Sequence, residues 1–216
     1  MSHVVSVNVG MPREVTANGQ VVRTGIFKSP VVGRVAVGPL NLEGDAQADL
    51  TVHGGTDKAV YAYPSEHYPA WRRELPHLQF PWGAFGENLT IAGLDEEIVR
   101  IGDQLRIGSA MFRVTQPRMP CFKLGIRFDY PDMIKHFQHS GRSGFYLAVV
   151  ETGELAAGDA IELHPTALAS LTVATITRLY TARETDPELL RQASELEGLP
   201  PGWRGRFRKQ LEASAS

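Results

Sequence analysis

The chain has 216 residues, 43% hydrophobic and 21% charged, the profile of a globular protein with room for one ordinary domain and a small appendage. Its 22 basic and 24 acidic side chains leave a formal net charge of -2, so nothing draws nucleic acid or an acidic membrane surface to the molecule as a whole, and no stable nucleic-acid binding is expected. One cysteine, Cys121, excludes an internal disulfide framework and an iron–sulfur cluster.

The N-terminal run Met1-Ser2-His3-Val4-Val5-Ser6-Val7 reads as a strand without a basic leader or cleavage site, and no apolar run is long enough to span a bilayer. The expectation is a cytoplasmic protein without a membrane partner.

Short, punctuated strands dominate the first part. Residues 4–9 alternate, Val21 and Ile26 sit in β-prone runs, and residues 31–38 form another. Asn18-Gly19 signals a tight hairpin. A second hairpin spans Gln104 to Thr115 around Gly108-Ser109, with Leu105 and Ile107 on one face and Phe112 and Val114 matching them on the partner strand. Ile101-Gly102-Asp103 ahead of one strand is echoed by Ala157-Gly158-Asp159 ahead of another, which points to pseudo-symmetric halves or to the commonness of Gly-Asp turns. Asp57 to Tyr63 reads as helix or strand. Residues 64–75 read as a helix with Ser65 as a candidate cap, and residues 130–137 as a second short helix.

After Pro165 the composition shifts. Leu171 to Tyr180 carries β-branched residues that suit a strand locally. Asp186-Pro187-Glu188 then places a cap, a first-turn proline and an acid where a helix begins. Trp203, Phe207 and Leu211 follow at helical steps. The division expected is a mostly-β barrel over residues 1–165 and a three-helix extension over 166–216, α+β overall.

Four stretches carry candidate chemistry. In Gln116-Pro117-Arg118-Met119-Pro120-Cys121-Phe122-Lys123-Leu124, two prolines stiffen a segment that ends on Cys121 between Arg118 and Lys123. Cationic neighbours favour the thiolate, which is both nucleophile and soft metal ligand; a buried cysteine in a kinked loop is the competing account. In the stretch from Asp49 to Val60, Gly54-Gly55 is flanked by His53, Asp57 and Lys58, either an anion-binding turn or a solvent-facing hairpin. Gly86-Glu87-Asn88-Leu89-Thr90 offers Asn88 to a heterocycle edge or to its own backbone. Gly141-Arg142-Ser143-Gly144 offers Arg142 as a phosphate clamp or as a plain loop arginine. Scattered histidines, His136 and His139 included, make no zinc pattern. Arg204, Arg206, Arg208 and Lys209 read as a solvated helix face, with docking of a partner as the other reading.

Taken in order, Val52-His53-Gly54-Gly55-Thr56-Asp57-Lys58-Ala59-Val60, Gly86-Glu87-Asn88-Leu89-Thr90, the Cys121 segment, and Gly144-Phe145-Tyr146 ahead of Gly158-Asp159 resemble the MOSC domain. The helical tail resembles the three-helix extension of the YiiM-like subfamily. The resemblance implies a β-barrel that binds molybdenum cofactor through its molybdopterin, with Cys121 as the protein ligand to the metal. Lys58, Arg118 and Asn88 are then expected to hold the pterin and its phosphate, with His53, Asp57 and Arg142 nearby. It further implies reduction of N-hydroxylated small molecules such as 6-N-hydroxylaminopurine, fed by a separate reductase. The alternative is a non-catalytic module that carries the cofactor or a persulfide.

Overall fold

The computed structural model describes residues 1–17, 19–48, 54–166 and 170–214. The chain is α+β and rich in sheet. In order it forms β1 (His3–Val9), β2 (Arg13–Ala17), β3 (Gln20–Thr24), β4 (Ser29–Pro30), β5 (Val35–Val37), β6 (Val60–Pro64), α1 (Tyr68–Glu74), β7 (Leu89–Ala92), β8 (Gln104–Ile107), β9 (Ala110–Pro117), α2 (Phe122–Phe128), α3 (Met133–Ser140), β10 (Phe145–Glu151), β11 (Gly153–Leu155), β12 (Ile161–His164), α4 (Val173–Tyr180), α5 (Pro187–Glu195) and α6 (Pro201–Ser214).

Eight strands pair in the order β12-β8-β9-β10-β6-β7-β1-β4, antiparallel throughout except for the β6–β7 pair. A continuous closed ladder, as a barrel requires, is not present among the described residues. The first strand instead meets the start of β12 through one bridge, His3–Ala160, and through bonds from Val4 N to Asp159 O, Gly158 N to Val4 O and Ile161 N to Ser2 O, of 2.8–2.9 Å. Both hairpins form as patterned. Ala17 faces Gln20 across the first turn, whose Asn18 lies outside the described residues, and Ile107 faces Ala110 across the second. Leu105, Ile107, Phe112 and Val114 are buried.

The Gly-Asp echo is a structural repeat. Gly102 and Gly158 have φ of 93° and 91°, a left-handed conformation that glycine adopts without a Cβ penalty. Asp103 and Asp159 each accept a bond from the backbone N–H three residues earlier, at 2.8 and 2.9 Å. The strands they feed, β8 and β12, pair with each other.

Several local readings are corrected. Ser65 does not cap a helix; it begins a 3-10 turn (Ser65–His67) leading into α1, and its hydroxyl bonds Glu66. Residues 56–58 form another 3-10 turn before β6, so the Asp57–Tyr63 segment is turn and then strand. Only Val35–Val37 of the 31–38 run is strand. For Leu171–Tyr180 the three-helix reading of the tail holds over the local strand alternative: the segment is helical from Val173, capped by the Thr172 side chain, although Thr172 first makes an isolated bridge to Arg100. Burial of Val173, Ile176 and Leu179 overrides the weak helix propensity of the β-branched residues.

The apolar faces of α4, α5 and α6 are not a separate core. Ile176, Leu179, Leu190 and Phe207 belong to the same hydrophobic cluster as Ile101, Leu105, Phe112 and Val114 of the sheet. A second cluster, of Tyr63, Trp71, Phe85, Phe128 and Phe137 among others, packs α1, α2 and α3 behind the site.

Candidate functional site

The cysteine is placed at a strand-to-helix corner. β9 ends at Pro117, and Pro120 precedes Cys121, which keeps extended backbone (φ −124°, ψ 173°) as the cap residue of α2. Its carbonyl accepts the Leu124 N–H at 2.9 Å. Helix α2 was not expected from sequence, because Gly125, Ile126 and Phe128 are poor helix formers. Leu124 and Phe128, four apart and buried, hold it to the aromatic cluster.

Cys121 is partly exposed and lines a cavity enclosing about 640 Å³ of non-atom space, its open mouth included. Four cationic side chains, Lys28, Lys58, Arg118 and Lys123, share that lining with one carboxylate, Asp45. Tyr61, Tyr146, Asn88, Gln47 and Thr24 add neutral polar side chains to the lining. A nearly neutral chain therefore concentrates positive charge at one place, beside its one thiol.

Arg118 is the central cation. It is 6% exposed, its guanidinium lies 5.1 Å over the Tyr61 ring and 5.2 Å over the Phe137 ring, and its Nη1 is buried with no hydrogen-bond partner among the described residues. Burial works against the Arg118 charge, and neighbouring Tyr61, Tyr146 and Cys121 outweigh it, so the guanidinium is held firmly ionised. Burial raises the Tyr61 and Tyr146 phenols, with Arg118 opposing, so both stay protonated at neutral pH. Tyr61 donates to the Ser143 carbonyl at 2.8 Å.

Lys28 and Asp45 form a buried ion pair on the cavity wall. Burial lowers the Lys28 pKa and Asp45 partly restores it. Burial also lowers the Lys58 pKa, against the pull of Asp57.

The Gly-Glu-Asn motif works mostly from behind the wall. Asn88 lines the cavity, but its Oδ1 accepts the Tyr61 N–H at 3.1 Å and its Nδ2 donates to Asp45 Oδ2 at 2.9 Å. It therefore positions Asp45 and Tyr61. Glu87, fully buried, accepts from Gly83 N (2.8 Å), Phe85 N (3.0 Å), Thr90 Oγ1 (2.9 Å) and the Tyr68 hydroxyl. Burial raises its pKa, with those bonds opposing.

Of the residues singled out from sequence, Cys121, Lys58, Arg118 and Asn88 meet in this cavity. His53 lies outside the described residues. Asp57 sits on the rim of an adjoining cleft, 3.9 Å from Arg113. Arg142 is elsewhere: it makes a two-pronged bond to Glu74 (2.9 and 2.6 Å) and lies 4.8 Å over the Trp71 ring, so the arginine of that loop is a surface clamp. The loop residue that the site needs is Gly144. At φ 60° it presses against Ala62 O, where a Cβ would stand 2.5 Å away, and against the Tyr61 and Tyr63 rings. Lys28 and Asp45 were missed, since both lie in irregular connecting segments whose local sequence carries no chemical pattern.

A thiol and four cations line one cavity on a sheet-rich α+β scaffold, the class of fold and site with which its relatives compare. The chain belongs to the MOSC family: the MOSC domain model matches residues 49–162, and the model for the YiiM-like 3-alpha helix domain matches residues 171–213. It is 39% identical to protein YflK of Bacillus subtilis over 97% of this chain and 94% of that one, and 43% identical to YiiM of Escherichia coli over 65% and 63%. A protein named reductase from Gibberella moniliformis is 35% identical over 83% of this chain, which spans 32% of that longer protein. Among solved structures, YiiM from Geobacillus stearothermophilus superposes with a TM-score of 0.81 at 36% identity (98% and 100% covered), and YiiM from Escherichia coli with 0.77 at 30% (99% and 94%). No described helix is long and apolar enough to cross a membrane.

Proposed function

We propose that this chain is a molybdenum-cofactor-dependent oxidoreductase that removes oxygen from N-hydroxylated small molecules, with electrons supplied by a separate reductase. The observation that carries the reading is the buried Arg118 Nη1, without a hydrogen-bond partner among the described residues, in the wall of a cavity that also holds Cys121 and three lysines. An unpaired buried donor is expensive unless a ligand completes it. Family membership supports the same reading, because the MOSC domain is associated with this cofactor. The occurrence of a related segment within a longer protein named reductase supports an arrangement in which electron supply lies outside the segment.

The residues present fit the group. Cys121 offers a soft sulfur to the metal. Arg118, Lys58 and Lys123 match the negative charge of a dithiolene and a phosphate, while Lys28 is neutralised by Asp45 in the wall. When bound, the cofactor supplies a two-electron redox centre able to accept oxygen, which this chain's own side chains lack. The net conversion takes an N-hydroxylated amine, two electrons and two protons to the amine and water. Tyr146, kept protonated by burial, holds a proton on its Oη beside the thiol. The aromatic cluster behind the wall keeps water from that side.

The test is molybdenum content and hydroxylamine reduction in protein purified from a cofactor-competent host. Wild type should carry molybdenum and turn over with a reductase and electron source; Cys121→Ser should lose both while keeping its melting temperature. Undiminished turnover in Cys121→Ser would remove the cysteine from the mechanism. Molybdenum without turnover would favour a cofactor carrier.

A further inference from the structure

Glu96 is a buried carboxylate, 4% exposed, in the connection between β7 and β8 and outside the lining of the cavity. Its turn is pinned in place. Asp95 Oδ1 accepts the backbone N–H groups of Glu97 and Ile98 at 3.0 and 3.1 Å, and the Glu96 carbonyl accepts Ala174 N at 2.8 Å in the first turn of α4. The carboxylate itself is spent on two partners. Oε1 accepts the Gly144 N–H at 2.6 Å, and Oε2 lies 2.7 Å from Nε2 of the mostly buried His67. A charge-assisted bond to a backbone N–H inside a protein is strong and directional, so it fixes the peptide that carries it.

That peptide is gripped from its other side by Tyr61. A Cβ on Gly144 would stand 2.8 Å from Tyr61 Cε2, and Ser143, the residue before it, takes the Tyr61 hydroxyl on its carbonyl at 2.8 Å. Two adjacent loop residues therefore hold Tyr61 at ring and hydroxyl together, with Glu96 behind them. The Tyr61 ring is in turn one of the two over which the Arg118 guanidinium lies.

A second route runs through the sheet. Gly144 leads directly into β10, where Phe145 faces Pro117, the residue before Arg118. Both routes leave Glu96 by the same N–H and arrive at the same guanidinium. An arginine on a long, rotatable stem points where its supporting surfaces hold it, and holding it in advance lowers the entropy lost when a ligand is bound.

We propose that Glu96 is a positioning residue: through the Gly144 N–H it sets the place of Tyr61 and so aims Arg118 into the cavity, with His67 fixing the carboxylate. That Arg118 meets an anion rests on the functional reading above; that Glu96 sets its place does not.

The experiment follows the Arg118 Nε–Hε signal of the metal-free full chain by nitrogen-15 magnetic resonance, assigned by its loss in Arg118→Met, and the affinity for inorganic pyrophosphate by calorimetry. In wild type the Tyr61 and Phe137 rings should displace that signal from the position of a free arginine. Glu96→Met, which keeps the bulk and removes the acceptor, should move the signal toward the free position and weaken pyrophosphate binding about tenfold. Glu96→Gln still accepts from Gly144 and can donate to His67, and should retain both. His67→Leu releases one carboxylate oxygen and should give the changes of Glu96→Met at smaller size; it decides the matter if Glu96→Met does not fold. Glu96→Met with Arg118→Met should bind pyrophosphate no worse than Arg118→Met alone, because the two losses are one loss. A Glu96 that serves stability alone would lower the melting temperature, leave the Arg118 signal in place and add its loss to that of Arg118→Met; that result overturns the proposal. Failure of wild type to bind pyrophosphate would count against the anion reading of the cavity, and the Arg118 signal would then decide the positioning by itself.

Discussion

Lys28 and Asp45 neutralise each other inside the wall of the cavity, and Asp45 also takes bonds from Asn88 Nδ2 at 2.9 Å and from Gly10 N at 3.0 Å. The carboxylate therefore ties three separate loops together. Asp45→Ala leaves a buried ammonium without its anion, and we expect a loss of about 3–5 kcal/mol in denaturant unfolding. The double variant Lys28→Met with Asp45→Leu should recover part of that loss, since no orphaned charge remains. A single-variant loss under about 1 kcal/mol, the scale of an exposed pair, would contradict the pair's buried character.

Gly144→Ala tests the close approach behind Tyr61. The new methyl would stand 2.5 Å from Ala62 O, 2.8 Å from Tyr61 Cε2 and 2.9 Å from Tyr63 Cδ2. Left-handed backbone strain and overpacking together predict a loss of about 3 kcal/mol. A melting temperature equal to wild type would show that the β6–β10 contact yields easily.

The Glu74–Arg142 pair gives a pH-dependent prediction. The hydrogen bond from Arg142 holds the Glu74 carboxyl below the usual carboxylate range, slightly opposed by burial. A depressed folded-state value stabilises above the unfolded pKa of about 4.3 and ceases to do so as pH falls through the lower folded value. The pair is largely exposed, so Glu74→Gln should cost about 1 kcal/mol or less at pH 7. The gap from wild type should close below about pH 4. Molybdenum content should be unaffected; a loss of metal in Glu74→Gln or Arg142→Ala would return Arg142 to the site.

Phe207→Ala tests the shared core. Phe207 is fully buried in the cluster that also contains Phe112 and Ile101. We expect a loss of about 3–5 kcal/mol in one transition, seen alike by far- and near-ultraviolet circular dichroism. Two transitions, with only the lower one displaced, would mean that the helices unfold on their own.

Periodicity and turn chemistry made much of this fold readable. The Gly108-Ser109 hairpin, the Gly-Asp repeat and the Asp186 cap, whose side chain accepts the Glu188 N–H at 2.9 Å, are local devices, each written in a few adjacent residues. Helix α2 was hidden because its stability comes from Leu124 and Phe128 packing on distant aromatics. The site divides the same way. Cys121, Arg118 and Lys58 stood out by chemical type within a motif, whereas Lys28, Asp45 and Glu96 acquire meaning from burial and from neighbours far along the chain. Arg142 misled because a loop arginine between glycines looks alike whether it clamps a phosphate or a surface glutamate.

The place of β1 has a kinetic consequence. This strand lies between β7 and β4, and its first residues also bond to Asp159, Gly158 and Ile161. This strand therefore finds all its neighbours only across large sequence separations, which make loop closure slow. Until the Gly158-Asp159 turn is in place, part of one edge of that strand stays open to pairing with other chains, so folding conditions that delay the turn expose an aggregation-prone edge.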